Sequence, residues 1–347
     1  MMQISSRQMF ERAENHTAVQ TMQAIAQSEY GGPEVLGLTK VEKPVPKDNE
    51  VLVKVHASSV NAGDWHLMRG KPFLIRLMFG GLLKPAIPII GVDVAGTVAA
   101  VGQNITQFQV GDAVFGDVSG CGFGAFAEYV CATEDSLIHK PESIPFREAG
   151  VVPAGAIAAL QALRDFGNIQ AGQKVLVKGA SGGVGSFAVQ IAKAFGAEVT
   201  AVLSTKKLEM GRSLGVDHLI DYQKTDLTTL EEQYDLILDA AGFQPFWHYL
   251  PLLKPTGTYV MVGGATTPFF QAMLFGAIAE KITGKKIKCL EAKMNTDDLK
   301  LIRDWLTDQK IKPFIDRDFQ LTEVPDAIRY LEQRQGRGKI AVQVSSL

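Results

Sequence analysis

A glycine-rich loop between a predicted strand and a predicted helix constrains the fold of this chain more than any other feature. The stretch KGASGGVGSF occupies residues 178–187. It follows the short apolar run KVLVK (174–178), and apolar residues then recur at helical spacing from Val184 to Phe195. A loop of this kind joins a strand to a helix in a βαβ unit, so its surroundings predict a parallel sheet.

The sequence changes character near Pro153. Before it, β-branched stretches such as EVLVKVHASSV (50–60) and short runs separated by turn signals predict a compact β-barrel. After it, apolar strands alternate with helices, which predicts a parallel sheet covered on both faces. The tail beyond about residue 290 ends in a strand-like run that does not extend this alternation, and we expect it to pair back with the N-terminal unit.

Composition and charge exclude several classes of protein. The 347-residue chain has a formal net charge of −2, which argues against nucleic acid or an anionic membrane as the main partner. Three scattered cysteines support neither a disulfide framework nor a zinc knuckle, and they favour a reducing, cytoplasmic location. Residues 1–21 are polar and predict a disordered extension rather than a secretory signal. No run reaches the roughly 18 apolar residues of a membrane span.

The glycine loop has the features of a phosphate-binding site. Gly182 and Gly183 would let the backbone approach a pyrophosphate, and Gly185 would let the helix pack closely on the sheet. The helix N-terminus then offers unpaired N–H groups and the positive end of its dipole to the anion. A tight turn without a ligand is the alternative, but a strand before the loop and a helix after it favour a dinucleotide site.

The segment after the second strand indicates which dinucleotide binds. Leu203 is followed by Ser204, Thr205, Lys206 and Lys207, with no acidic residue to hold a ribose 2′-hydroxyl. Hydroxyls and lysines without a carboxylate suit a 2′-phosphate, which favours NADPH over NADH. Alternatively, the lysines are solvated residues at the start of a helix.

Six motifs, including the glycine loop, resemble the medium-chain dehydrogenase/reductase superfamily, in its zinc-less quinone oxidoreductase and enone reductase branch. The other five are SSVNAGDWHLMRG (58–70), IIGVDVAGTVAAVG (89–102), FQVGDAVFG (108–116), GAFAEYV (124–130) and RSLGVDHLIDY (212–222). The resemblance implies an α/β protein with a GroES-like β-barrel domain over residues 22–153 and 290–347. A doubly wound Rossmann domain over residues 154–289 would lie between these segments, with the active site in the cleft.

The resemblance also implies that no metal is present. Zinc-dependent relatives place a cysteine at Asn61 and a Gly-His-Glu motif at 91–93, where this chain has Gly-Val-Asp. The six histidines form no close ligand set. Without a Lewis acid, hydride from NADPH would reduce an activated acceptor, an α,β-unsaturated carbonyl or a quinone. The alternatives are an NADP-dependent carbonyl or alcohol dehydrogenase, and a low-turnover NADPH-binding redox sensor.

Site residues are carried over from the matching motifs. The resemblance suggests Asn61, Asp64, His66 and Arg69 as catalytic residues. His66 is a candidate enolate hydrogen-bond donor or proton relay, or else only lines the pocket. Asp64 and Arg69 would alternatively form a structural ion pair. The positions that match cofactor-binding residues are Asn61, Ala180, Ser181, Gly182, Gly183, Val184, Ser204, Lys207, Tyr222, Gly263, Gly264 and Arg334. Tyr222 is alternatively a core aromatic, and Arg334 a solvated arginine.

Two further segments bear on substrate and assembly. The apolar stretch PFFQAMLFGAIAEKI (268–282) either lines the cleft, which would favour a small hydrophobic enone or quinone, or packs as an ordinary helix. The stretch KKIKCLEA (285–292) is a candidate edge strand of the Rossmann sheet. Relatives pair through this strand, so the resemblance implies a homodimer.

Overall fold

The computed structural model describes residues 19–79 and 81–345. The predicted disordered extension (1–21) therefore lies almost entirely outside the described residues, although Thr21 already begins the first strand. The strands are β1 Thr21–Ala26, β2 Gly37–Glu42, β3 Glu50–Val60, β4 Asp93–Val101, β5 Ala113–Asp117, β6 Tyr129–Thr133, β7 Leu137–His139, β8 Lys174–Lys178, β9 Glu198–Leu203, β10 His218–Asp221, β11 Tyr234–Asp239, β12 Leu253–Met261, β13 Lys286–Cys289, β14 Ile315–Gln320 and β15 Lys339–Gln343.

The α-helices occupy the connections between these strands. They are α1 Ala62–Arg69, α2 Leu74–Met78, α3 Phe146–Ala149, α4 Pro153–Gln161, α5 Gly183–Ala194, α6 Leu208–Ser213, α7 Thr266–Thr283, α8 Thr296–Thr307 and α9 Val324–Glu332. A π-helical turn, Ala162–Phe166, continues α4. Short 3-10 turns account for several of the remaining connections, including Thr205–Lys207 immediately before α6.

The first unit is a seven-stranded sheet with the order β14-β15-β3-β4-β5-β7, in which β6 also pairs with β3. Its longest strand, β3, packs Val51, Val53 and Val55 in the core with no exposed surface. The C-terminal strand β15 runs antiparallel to β3, with Val342 opposite Ser58. The tail therefore pairs back with the N-terminal unit, as its sequence predicts.

The second unit is a parallel six-stranded sheet with the order β10-β9-β8-β11-β12-β13. Strand β8 lies between β9 and β11, so the strand order reverses at β8. The chain first adds β9 and β10 on one side of β8, and later adds β11, β12 and β13 on the other side. In such sheets the ligand crevice lies at the carboxyl end of the strand where the order reverses. The glycine loop follows β8 and thus occupies this switch point.

Helix α4 connects the two units through a shared core. Ala156 and Leu160 of α4 are fully buried in a cluster that also contains Phe115 of β5 and Phe187 of α5. The Gln161 side-chain amide donates to the Asp298 carboxylate at 2.8 Å, which attaches α8 to the same helix. Barrel strands and Rossmann helices therefore share one continuous apolar core.

Helix α7 buries only a narrow face and lies next to the edge strand. Its buried residues are Pro268, Ala272 and Gly276, whereas Leu274 is 64% and Ile282 is 79% exposed. In the part of the chain that the structure describes, no helix combines the length and apolarity needed to cross a membrane. Strand β13 is at the edge of the sheet, as predicted, and the homodimer stays a prediction.

The first prediction concerns the close approach of α5 to β8. A Cβ atom at Gly185 would lie 2.1 Å from the carbonyl oxygen of Gly179. This oxygen belongs to the backbone and cannot move aside as the end of a flexible side chain could. We expect Gly185→Ala to lower the free energy of unfolding by about 1–3 kcal/mol, measured by urea denaturation. The control is Gly63→Ala in α1, where a Cβ meets nothing within 4 Å. Equal stability of the two variants would contradict the close packing.

Candidate active site

The glycine loop presents an open helix N-terminus to the crevice. Helix α5 begins at Gly183, and its N-cap residue Gly182 has no side chain to occupy the first-turn N–H groups. These groups are free to bind an anion. Ser181 and Val184 are half-buried beside them, whereas Ala180 is fully buried and offers only its backbone.

The C-terminal segment contacts this loop directly. The backbone N–H of Gly338 donates to the carbonyl of Ser181 at 2.7 Å, and Gly182 and Gly338 form an isolated parallel bridge. A Cβ atom at Gly183 would lie 3.0 Å from Cδ of Lys339. Strand β15 of the barrel sheet therefore begins against the glycine loop of the other unit.

The residues suggested for the 2′-phosphate form a group at the end of β9. Lys207 donates from Nζ to the carbonyl oxygen of Gly336 at 2.6 Å, and burial lowers the pKa of this lysine. Ser204 precedes the 3-10 turn that carries Lys207. The guanidinium carbon of Arg334 lies 3.9 Å from the ring centroid of Phe243, although Arg334 is exposed.

Tyr222 follows the neighbouring strand β10 and is exposed. Its backbone N–H donates to the carbonyl of Leu203 at 3.1 Å, which places it beside the end of β9. Its side chain is 55% exposed and lines a cleft of about 680 Å³ together with Lys178 and Tyr249. The alternative that Tyr222 is a core aromatic is therefore wrong.

Asp221 is a charged residue near this group that sequence reasoning missed. Thr205 donates from its hydroxyl to the Asp221 carboxylate at 2.5 Å, and this hydrogen bond lowers the pKa of Asp221. The segment that directly follows β9 contains no carboxylate before Glu209, but a carboxylate reaches the same place from another strand. The aspartate comes from the end of the adjacent parallel strand β10, whose carboxyl end meets the same edge of the sheet.

Gly263 and Gly264 meet the loop that follows β11. Gly242 donates from its N–H to the carbonyl of Gly263 at 2.8 Å, and the N–H of Ala265 donates back to Gly242. Gly264 has a φ of 147°, and a Cβ there would lie 2.4 Å from the Gly242 carbonyl oxygen. This pair of loops lines the carboxyl edge of the Rossmann sheet.

Asn61 begins α1 and lies in a buried polar cluster. Its side-chain Nδ2 donates to Asp93 Oδ2 at 3.0 Å, and its Oδ1 accepts from Lys339 Nζ at 2.5 Å. Because an ammonium only donates, this contact fixes which side of the amide is oxygen. The orientation of Asn61 is therefore set by a residue from the opposite end of the chain.

Asp93 is the centre of this cluster. Its Oδ1 accepts the backbone N–H of Ala154 at the start of α4 at 2.7 Å. Its Oδ2 accepts from Lys339 Nζ at 3.1 Å and from the Ser59 hydroxyl. Asp93 is fully buried and Lys339 is 2% exposed, so the two form a buried ion pair.

The contacts of Asp64 fix the position of α1. Its carboxylate accepts the backbone N–H groups of Asn61 at 2.7 Å and Gly91 at 3.1 Å, which holds α1 against the segment before β4. Burial, with a smaller contribution from the nearby Asp93 charge, raises the pKa of Asp64 to about 7. Burial likewise raises the pKa of Asp117, on the neighbouring strand β5, to about 6.

The alternative ion pair between Asp64 and Arg69 does not form. Arg69 instead makes a two-pronged pair with Glu332 of α9, at 2.5 Å and 3.0 Å. Asp64 lies on the buried side of α1, where its oxygens are occupied by backbone N–H groups. Arg69 thus attaches α1 to α9, and the catalytic role suggested for it stays a prediction.

His66 lies in the second half of α1. Its Nδ1 is 2.7 Å from the carbonyl oxygen of Lys71, and burial lowers its pKa. A carbonyl only accepts, so Nδ1 carries the proton. In the neutral ring Nε2 is then an acceptor, not a donor.

The residues at the zinc-ligand positions do not fit zinc. Asn61 is occupied by Asp93 and Lys339, and Val92 has no donor atom. Within residues 19–79 and 81–345, no three or more His, Cys, Asp or Glu side chains are grouped so as to hold a metal ion. The donor set therefore argues against a zinc-dependent mechanism.

Comparison with known proteins agrees with this architecture. Residues 47–142 match the family described as alcohol dehydrogenase GroES-like domain, and residues 214–342 match zinc-binding dehydrogenase. The chain is 34% identical to a chloroplast envelope quinone oxidoreductase homolog of Arabidopsis thaliana, covering 93% of this chain and 98% of that protein. It is also 34% identical to an NADPH-dependent alkenal/one oxidoreductase, chloroplastic, of the same plant, covering 92% and 79%.

A solved structure shows the same fold. The quinone oxidoreductase from Coxiella burnetii superimposes with a TM-score of 0.84 at 28% identity, covering 94% of this chain and all of that one. The names of the two plant relatives contradict the predicted cytoplasmic location, because both are chloroplast proteins. Few cysteines indicate only that no disulfide framework is needed, and they do not identify a compartment. By fold and sequence, the chain belongs to the medium-chain dehydrogenase/reductase superfamily, in its quinone oxidoreductase and enone reductase branch.

Proposed function

We propose that this protein is a zinc-independent, NADPH-dependent oxidoreductase that reduces α,β-unsaturated carbonyls or quinones. The observation that carries the proposal is the pairing of an open phosphate-binding helix, α5, with a polar cluster at Asn61 whose donor set does not suit zinc. The names of the plant relatives support the same class of acceptor. The site would lie between a barrel domain, residues 22–153 and 290–347, and a Rossmann domain, residues 154–289.

The chain's own residues bind and orient the cofactor. The N–H groups of the first turn of α5 hold the pyrophosphate, and Gly182 and Gly183 keep side chains out of its way. The loops at Gly242 and at 263–264 would border the nicotinamide half, and Asn61 would face that end from the barrel. When bound, the reduced nicotinamide supplies a hydride.

The acceptor must already be polarised, because the donor set around Asn61 does not suit a Lewis-acidic metal. Hydride adds to the β-carbon, the C=C electron pair moves to the α-carbon and carbonyl oxygen, and an enolate forms. A solvent proton then adds to the α-carbon, giving the saturated carbonyl and oxidised cofactor. A quinone accepts hydride and a proton in the same way to give the hydroquinone.

The acceptor class is tested by NADPH oxidation. We expect absorbance at the NADPH band to fall with 2-alkenals, alkenones or quinones, and NADP⁺ reduction by simple alcohols to be negligible. Rapid alcohol oxidation would favour a carbonyl or alcohol dehydrogenase. Tight NADPH binding without turnover of any acceptor would favour a redox-sensing protein and contradict the proposal.

The preference for NADPH rests on the group at the end of β9. Lys207 and Arg334 bring positive charge to this edge, and Ser204 and Tyr222 bring hydroxyls. Asp221 opposes a 2′-phosphate, but its carboxylate is hydrogen-bonded by Thr205. We propose that the two cations outweigh this single carboxylate.

Lys207→Glu tests this preference. Loss of a charge-assisted hydrogen bond, together with repulsion, should weaken NADPH binding about 10- to 100-fold while NADH binding changes much less. Dissociation constants are measured by the quenching of protein fluorescence. Lys206→Glu is the matched control, since Lys206 is exposed and carries the same charge one residue away. An equal loss for both cofactors in Lys207→Glu would contradict the assigned role.

We propose that His66 acts as a neutral acceptor that orders the water delivering the proton. Because burial lowers its pKa below 6.5, an essential imidazolium would make kcat/KM fall as pH rises through that lowered value. We expect kcat/KM to stay flat between about pH 6.5 and about pH 8.5, and His66→Gln to lose less than about tenfold. A loss of 100-fold or more in steady-state kinetics would instead make His66 the general acid.

A further inference from the structure

Lys339 is a buried cation that no sequence motif identifies as functional. It is 2% exposed, and it is the one buried lysine among residues 19–79 and 81–345. Its ammonium lies 2.5 Å from Asn61 Oδ1 and 3.1 Å from Asp93 Oδ2. Burying a charge requires desolvation, so an apolar residue at this position would typically stabilise the fold as well as a lysine does. Stability alone therefore does not explain a lysine here.

The ammonium contacts two residues at positions where the resemblance implies zinc-binding motifs in zinc-dependent relatives. Asn61 stands at the position of a cysteine ligand, and Asp93 ends the tripeptide that replaces Gly-His-Glu. Nζ of Lys339 is 2.5 Å from Asn61 Oδ1, so a positive charge is held directly against this residue.

One donor of Lys339 remains for a ligand. An ammonium has three N–H groups. Two are directed at Asn61 and Asp93, and within the described ranges no side chain or carbonyl accepts the third. The lysine stem passes the first residue of α5, where a Cβ on Gly183 would lie 3.0 Å from Cδ. The head of the side chain therefore lies between the glycine loop and Asn61.

His66 is a poorer donor for the same purpose. Its Nδ1–H is occupied by the carbonyl of Lys71, and the neutral ring presents a lone pair at Nε2. An anionic oxygen needs a donor that is held in place before charge develops. Lys339 satisfies this condition, because Asp93 and Asn61 fix its position.

We propose that Lys339 replaces zinc as the group that stabilises the acceptor oxygen during reduction. Its third N–H donates a hydrogen bond to the carbonyl oxygen, which becomes anionic as hydride reaches the β-carbon. No proton leaves the lysine, and the α-carbon takes its proton from solvent as described above. The inference rests on the proposed function for its substrate, but the affinity for an oxyanion is measurable without turnover.

The test uses 4-nitrophenol, whose visible absorbance reports ionisation, bound to the protein with NADP⁺. The phenolate imitates the enolate oxygen, so the protein should bind phenolate more tightly than neutral phenol. Lys339→Met should weaken phenolate binding about 10- to 100-fold and leave the affinity for an uncharged analogue, nitrobenzene, unchanged. Lys339→Arg should recover part of the loss, because it keeps a cationic donor.

Two variants control for folding. Lys339→Met with Asp93→Asn removes the ion pair together and leaves no unpaired buried carboxylate, and it should lose phenolate preference to the same extent. Arg164→Met removes the cation from Asp298, which is 6% exposed, at a site that contacts neither Asn61 nor the glycine loop. That variant should lose stability but keep phenolate preference.

The outcomes separate this inference from the proposed function. If the protein reduces enones but Lys339→Met keeps its kcat and its phenolate preference, the role of Lys339 is refuted and the function stands. If no acceptor is reduced while phenolate binding still depends on Lys339, the function fails and the oxyanion site stands. If Lys339→Met weakens NADPH binding and leaves phenolate binding intact, the lysine serves the cofactor phosphates and the inference is wrong.

Discussion

The buried carboxylate of Asp93 is the contact on which the geometry of the site depends. It joins the start of α4, the strand β3 at Ser59, the N-cap Asn61 and the C-terminal Lys339. These partners come from three separate parts of the chain, because Ser59 and Asn61 are neighbours that also share a local hydrogen bond. A buried carboxylate needs such partners, because leaving it unpaired typically costs about 3–5 kcal/mol.

This constraint also explains why the site is not suited to a metal. Three carboxylates, Asp64, Asp93 and Asp117, lie near one another, and burial raises the pKa values of Asp64 and Asp117. Among the residues that the structure describes, Lys339 supplies the one positive charge that directly contacts Asp93. With this lysine in place, a divalent cation would meet repulsion rather than ligands. Asn61, which stands where zinc-dependent relatives place a cysteine, and Lys339 therefore belong to the same hydrogen-bonded cluster.

Local patterns predicted the fold well and the site only in part. Strands β3 and β8 have the predicted bounds, and α5 begins within one residue of its prediction, because alternation, apolar runs and glycine spacing act over neighbouring residues. The pairing of Arg69 with Glu332, 263 residues away, has no local signal in the sequence. The alternative of an ion pair between Arg69 and Asp64 is therefore wrong. Asp221 was missed because two strands must be placed side by side before it meets Thr205.

The C-terminal segment shows most clearly what local patterns omit. Within four residues it makes three contacts with distant parts of the chain. The carbonyl of Gly336 accepts a hydrogen bond from Lys207, and the N–H of Gly338 donates one to Ser181. The side chain of Lys339 donates to Asn61. In sequence this stretch is only a glycine-containing turn before a strand. In the fold it crosses from the group at the end of β9, past the phosphate-binding loop, to the polar cluster of the barrel. The proposed cofactor-selecting and acceptor-activating residues therefore share one backbone segment, so a change in its conformation would affect both.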